Sequence, residues 1–210
     1  MKINSLPSLL IILLLSSLGS LSYADPAYVG TSTAAVQTQM SLRDLWVEHV
    51  FWIRNYVIAN QQDQESARTV AADQVVNNAT QIANSLAPLY GQDAADKLLG
   101  LLAGHWGAVK DYSDATIADN KAKEKQALTD LNKNAGDIAD FLSAANPNLP
   151  RSALFSLLSV HGAQHVSQIE QIAAGQYAQE AETWHAMRQH VLVIADTLTS
   201  ALVKQFPAKF

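Results

Sequence analysis

The 210-residue chain contains no cysteine. That absence excludes a disulfide framework, a lipoprotein anchor, c-type haem attachment, thiolate metal sites and a cysteine nucleophile. Charge is also scarce: 16 % of residues are Asp, Glu, Lys or Arg, and the 14 basic residues are outnumbered by 19 acidic ones. A nucleic-acid binder needs a basic face that this balance does not supply. No Gly-rich phosphate loop and no Gly-x-Ser-x-Gly elbow occurs, so neither an NTP cradle nor a hydrolase-type nucleophile is expected. The apolar run from Leu9 to Leu15 is too short to span a bilayer as a helix.

What is present begins with that run. Lys2 before it, and Ser22-Tyr23-Ala24 followed by Asp25-Pro26 after it, give residues 1–24 the form of a secretory signal peptide. Its removal leaves 186 residues with 13 basic and 19 acidic side chains, a net charge of −6. This predicts an exported protein, periplasmic or extracellular, with no integral membrane segment after cleavage. An apolar content of 49 % is enough for one domain with a real core. Residues 25–40 are rich in Ala, Thr, Ser and Gln without periodicity and read as a flexible N-terminal arm. The fold is expected to start at Ser41 and to occupy 41–210.

From Ser41 onward, apolar residues recur at three and four: Leu42, Leu45, Trp46, Ile53, Tyr56 and Val57 open the pattern. That spacing is an amphipathic helix, and no stretch alternates with period two. The chain also matches itself at an offset of 56 residues. Residues 78–90 and 134–146 share five of thirteen identities, where unrelated sequence would give about one. Six columns hold in three copies, among them Leu42/Leu98/Leu154, His49/His105/His161 and Ile82/Ile138/Ile194. The fold class predicted is therefore all-α: six helices in three tandem 56-residue αα-hairpins, about 41–90, 92–146 and 150–206, forming an up-down bundle or a short solenoid. Breaks are expected near 61–65, at Gly91, at Asp119-Asn120, from Asn146 to Pro150 and at Gly175.

Histidines fall on the core stripe. His49 lies in line with Leu42, Leu45 and Ile53, and His105 and His161 inherit its setting. Asn78, Asn134 and His190 form the matching column of the second helices. In antiparallel helices, residues equidistant from the turn are level, which places His49, Asn78, His105, Asn134, His161 and His190 in one buried polar layer. Such a layer must satisfy its own donors and acceptors, which imidazole and carboxamide groups can do for one another.

The third hairpin departs from the others. It has His190 where they have Asn, and His165 where they have Ile53 and Val109. His161 and His165 share a helix face, and His190 is level with His161, so His161, His165 and His190 are the candidate metal ligands. An all-imidazole set suits Zn, Cu, Ni or Fe. His185 aligns with Asp73 and Thr129 and is expected at the surface. A carboxylate-bridged di-iron site would need two Glu-x-x-His motifs, and the chain has one, at Glu182 and His185. Trp46, Trp52, Trp106 and Trp184 read as packing residues, and Lys121, Lys123 and Lys125 as a solvated face.

The segments Leu45-Trp46-Val47-Glu48-His49-Val50-Phe51-Trp52-Ile53-Arg54 and Ser143-Ala144-Ala145-Asn146-Pro147, with the Gln205-Phe206-Pro207 ending, resemble a family of exported bacterial all-helical proteins. The resemblance implies one helical domain over 42–210 and brings no catalytic residue with it. The residues themselves favour a binding protein over an enzyme, holding a transition metal or small ligand at the histidines. A non-catalytic helical-repeat scaffold that engages an envelope protein, with a purely structural His/Asn layer, is the rival reading. A metal-dependent hydrolase or oxidoreductase is a third and would need an open coordination position.

Overall fold

A computed structural model describes residues 32–210, which form one compact unit. The expected signal peptide and the first part of the expected arm lie outside the described residues. Six long helices account for nearly all of the rest: α1 (Thr33–Gln61), α2 (Glu65–Asn84), α4 (Gln92–Ile117), α5 (Lys121–Ala145), α6 (Arg151–Ala173) and α7 (Tyr177–Gln205). A single turn, α3 (Ala87–Tyr90), joins α2 to α4, and a 3-10 turn over Pro207–Lys209 follows α7. Among the described residues there is no strand, and no helix is long and apolar enough to cross a membrane.

Helix α1 starts at Thr33, eight residues before Ser41, so the last half of the expected arm, residues 33–40, is helical. Ser32 caps it, its Oγ accepting the Ala35 N–H at 3.2 Å, and so satisfies one of the free donors of a first turn. The segment lacks an apolar stripe because one small side chain, Ala35, does the packing. Gln39 then ties the turn to α7 through Asp196, its Nε2 donating to Oδ1 at 2.8 Å.

The other ends fall where the sequence places breaks, and three of them share one geometry. Asp63, Asp119 and Gly175, spaced by 56, each have positive φ, of 52°, 48° and 68°. Behind them the N–H groups of Gln64, Asn120 and Gln176 reach back to the carbonyls of Ala59, Ala115 and Gln171 at 2.8 to 2.9 Å. This is a Schellman closure, in which a left-handed residue lets the chain turn back onto the helix it has just left.

Helices α1, α4 and α6 each pack against the other two. Around them, α2 lies against α1 and α4, α5 against α4 and α6, and α7 against α6 and α1. The six helices therefore form a closed ring of neighbours, with α7 against α1. Two ion pairs fasten the closing seam between α1 and α7. Arg43 meets Asp196 with both N–H···O contacts at 2.6 Å, and Arg54 grips Glu180 at 2.6 and 2.7 Å. Such two-point contacts fix orientation as well as charge.

Along the axis, side chains stack in layers. Toward the ends bearing the Schellman turns, Tyr56 donates to Asp114 at 3.3 Å and Tyr112 donates to Glu170 at 2.7 Å, so each hydroxyl bridges one inner helix to the next. At the opposite end an apolar cavity of about 40 Å³ is walled by Leu42, Leu98, Leu154, Ile82, Ile138 and Ile194 among others. Histidines lie between. Helices α5 and α6 come close enough that a Cβ on Gly162 would meet Leu131 at 3.2 Å.

A left-handed conformation strains any residue with a Cβ, aspartate less than most. Replacing Asp119 by glycine should therefore stabilise the fold by about 0.5–1 kcal/mol, and Gly175→Ala should destabilise it by about 1 kcal/mol. Urea denaturation midpoints check both; an unchanged or lower midpoint for Asp119→Gly would contradict the assignment.

Candidate metal centre

The three inner helices each bring one imidazole to the axis at the same level: His49 from α1, His105 from α4 and His161 from α6. His165, one turn further along α6, adds a fourth. Their residual exposures are 4 %, 7 %, 2 % and 1 %, so all four are inside the bundle. One ring nitrogen from each can be chosen so that the four atoms lie within 4.8 Å of one another. His161 Nε2 lies 3.3 Å from His49 Nε2 and 3.2 Å from His165 Nε2. Ring centroids of the three level histidines are 5.4 to 5.7 Å apart, so no helix stands back from the group. Trp46 closes one side, edge-on to His49 and His161.

The second helices hold these rings in place through the backbone. Asn78 Nδ2 donates to the Leu45 carbonyl at 2.9 Å, Asn134 Nδ2 to the Leu101 carbonyl at 2.9 Å, and His190 Nε2–H to the Leu157 carbonyl at 2.8 Å. Leu45, Leu101 and Leu157 each precede a level histidine by four residues, which is the helical hydrogen-bond step. Each contact therefore fastens the helical turn that carries His49, His105 or His161. On α4 this fit uses a glycine: a Cβ on Gly104 would meet Asn134 Nδ2 at 3.1 Å.

His161 and His165 come together as the sequence reading expected. His190 does not join them. It is only half-buried, and its Nε2–H is committed to the Leu157 carbonyl, the same kind of contact that Asn78 and Asn134 make. Level alone placed it with His161; which atom it uses, and for which partner, decides against it. His49 and His105 take its place. The signal for them was the invariant column His49/His105/His161, which converges only because the ring of helices closes. His185 is exposed.

Electrostatics prepare the rings for a cation. Burial, with a smaller contribution from His105, pushes His49 down to about 3, and burial pushes His105 down to about 4. His161 and His165 are held well below the ordinary imidazole range, first by burial and then by neighbouring rings. All four are therefore neutral at physiological pH, the form that ligates a metal. As hydrogen-bonding partners for one another they are badly matched. Nε2 of His161 has neighbours on both sides, yet a neutral imidazole has one donor and one acceptor. Nδ1 of His49, His161 and His165 and Nε2 of His105 have no partner within the protein. Asn78 and Asn134 also carry unpaired Oδ1 atoms, acceptors of the kind to which metal-bound imidazoles donate.

A cation resolves the mismatch among the converging nitrogens. Tetrahedral coordination at a metal–nitrogen distance of about 2.0–2.1 Å separates the ligand atoms by about 3.3–3.4 Å, and the two close contacts are 3.3 and 3.2 Å. With all four ligand atoms within 4.8 Å of one another, the four histidines could hold one metal ion.

A ring neutral in the fold but free to protonate near pH 6.5 when unfolded costs stability in acid. The sign follows from proton counting, since below pH 6.5 the unfolded chain binds more protons and each ring costs about 1.4 kcal/mol per pH unit. Stability of the chelator-treated protein is expected to be level above pH 6.5 and to fall between pH 6.5 and about 4, the pKa of folded His105. His165→Ile should make that fall shallower by one ring. Urea midpoints taken across this range check it, and equal slopes for the two proteins would refute it.

Comparison with protein-family models, with curated proteins and with solved structures finds no match to this chain.

Proposed function

We propose that the protein is an exported helical binding protein that holds a single transition-metal ion between His49, His105, His161 and His165. The observation that carries this reading is the pair of Nε2 separations, 3.3 and 3.2 Å, on rings that burial keeps neutral. Four protein ligands fill a tetrahedral shell and leave no position for water or substrate, which is the form of a binding or structural site rather than a catalytic one. Export rests on the signal-peptide pattern of residues 1–24, and the absence of cysteine is consistent with a site made of imidazoles alone.

The scaffold in this proposal is three αα-hairpins of 56 residues closed about one axis. Its support is the recurrence of the same turn at Asp63, Asp119 and Gly175 and of the same backbone fastening by Asn78, Asn134 and His190. Closure brings the repeated histidine to the axis three times, and His165 supplies the remaining ligand.

A structural His/Asn layer in an interaction module is the second reading, and one contact speaks for it: His49 Nε2 and His161 Nε2 are within hydrogen-bond distance. Titration of the purified, tag-free protein with Zn, Cu, Ni and Fe separates the two. One equivalent of metal is expected per chain, and at a free concentration of about 100 Kd it should stabilise the fold by about 2.7 kcal/mol, or roughly 5–10 °C in Tm. His49→Asn and His165→Ile should each weaken binding at least tenfold. His190→Asn, which copies the other hairpins and keeps a donor for Leu157, should leave the stoichiometry at one. Absence of stoichiometric binding, or binding indifferent to His49→Asn and His165→Ile, would leave the structural layer as the better account.

A further inference from the structure

The charges around the four rings point to one kind of ion, an inference that rests on the metal-binding reading above. No carboxylate takes part in the ligand group. Among the described residues, the ionisable groups that act on these rings are other histidines: His105 on His49, His105 and His49 on His165, and His165, His49, His105 and His190 on His161. Half-buried Arg54 and buried Glu180, paired at the α1–α7 seam, are spent on each other, and Gln168 donates to the same carboxylate at 2.8 Å. A cation at the centre therefore keeps its whole charge in a water-poor interior. Self-energy in such a medium grows with the square of the charge, so a divalent ion bears about four times the desolvation cost of a monovalent one of similar size.

Shape points the same way. The two separations at His161 Nε2, 3.3 and 3.2 Å, suit a tetrahedron, whereas a square-planar set with bonds of about 2.0 Å would bring adjacent nitrogens to about 2.8 Å. Tetragonal Cu(II) and square-planar Ni(II) are disfavoured by that geometry, and Trp46, Leu102 and Leu158, which wall the small void beside His49, His105 and His161, offer no further ligand on that side. Two filled-shell ions accept a tetrahedron without penalty, Zn(II) and Cu(I). Charge separates them. We infer that the site is built to hold copper as Cu(I), in preference to Cu(II) and Zn(II).

The test is a competition on the intact, metal-free chain. Cu(I) supplied anaerobically as its bicinchoninate complex should transfer to the protein at one equivalent, read as loss of the chelate's colour. An equimolar addition of Zn(II) should displace less than a tenth of it, and Cu(II) should bind at least 100-fold more weakly than Cu(I). His165→Asp introduces the missing negative charge while keeping a ligand, and should move the Cu(I)-to-Zn(II) preference at least tenfold toward zinc. Zn(II) or Cu(II) binding as tightly as Cu(I) to the unchanged protein would overturn the inference and leave metal binding intact. Failure of all three ions to bind would overturn both. The unchanged protein decides the matter even if His165→Asp does not fold.

Discussion

Four imidazoles taken out of water at the centre of a narrow bundle set the terms for the rest of the structure. An unsatisfied buried polar group costs on the order of 1–3 kcal/mol, and this layer carries several. The helices that surround it are arranged to limit that cost. Asn78, Asn134 and His190 spend their donors on carbonyls one turn before the level histidines, so the backbone under each ring cannot drift. Rings held this way converge by construction, and convergence of lone pairs is unfavourable until something positive lies between them. Stability and the proposed affinity for a metal thus draw on the same atoms.

The rest of the interior supports this by keeping other charges away or neutralised. Apolar residues occupy the axis at the end where α1 begins, and at the turn end hydroxyl–carboxylate contacts of Tyr56 and Tyr112 join the inner helices. Where that series reaches the third helix it changes. Gln168 stands at the position of the tyrosines and turns instead to Glu180, whose carboxyl is held below its usual range chiefly by the Arg54 guanidinium. The seam between α1 and α7, which has no covalent connection across it, is the place where paired ions replace tyrosines.

Much of this was legible in the residues. The 56-residue self-match located the turns, the invariant histidine column and the anomaly at His165, because each is a property of spacing along one chain. What lay beyond it depended on relations between chains of atoms that spacing does not encode. Closure of the ring depends on α7 meeting α1, where Arg43 and Arg54 pair with Asp196 and Glu180 and Trp46 and Val50 pack against Met187 and Val191, and this is a relation between distant segments. His190 shows a related limit: spacing along the chain gives its level, but not that the Leu157 carbonyl claims its donor. The first two turns of α1 escaped notice because Ala35 and Gln39 act through a small buried methyl and a single amide, and neither makes a periodic signal.

Threefold repetition has a limit that His165 makes plain. Copies of one hairpin can present ligands to an axis in threes, and a tetrahedron needs four. Three hairpins on separate chains would bring either no imidazole at the level of His165 or three crowded ones, with Ile53 and Val109 both replaced. Joining the copies in a single polypeptide lets one of them differ. In the proposed metal site the odd ligand is thus the part that an assembly of identical subunits could not make, and under that proposal the linkage between hairpins has a chemical purpose beyond holding them together.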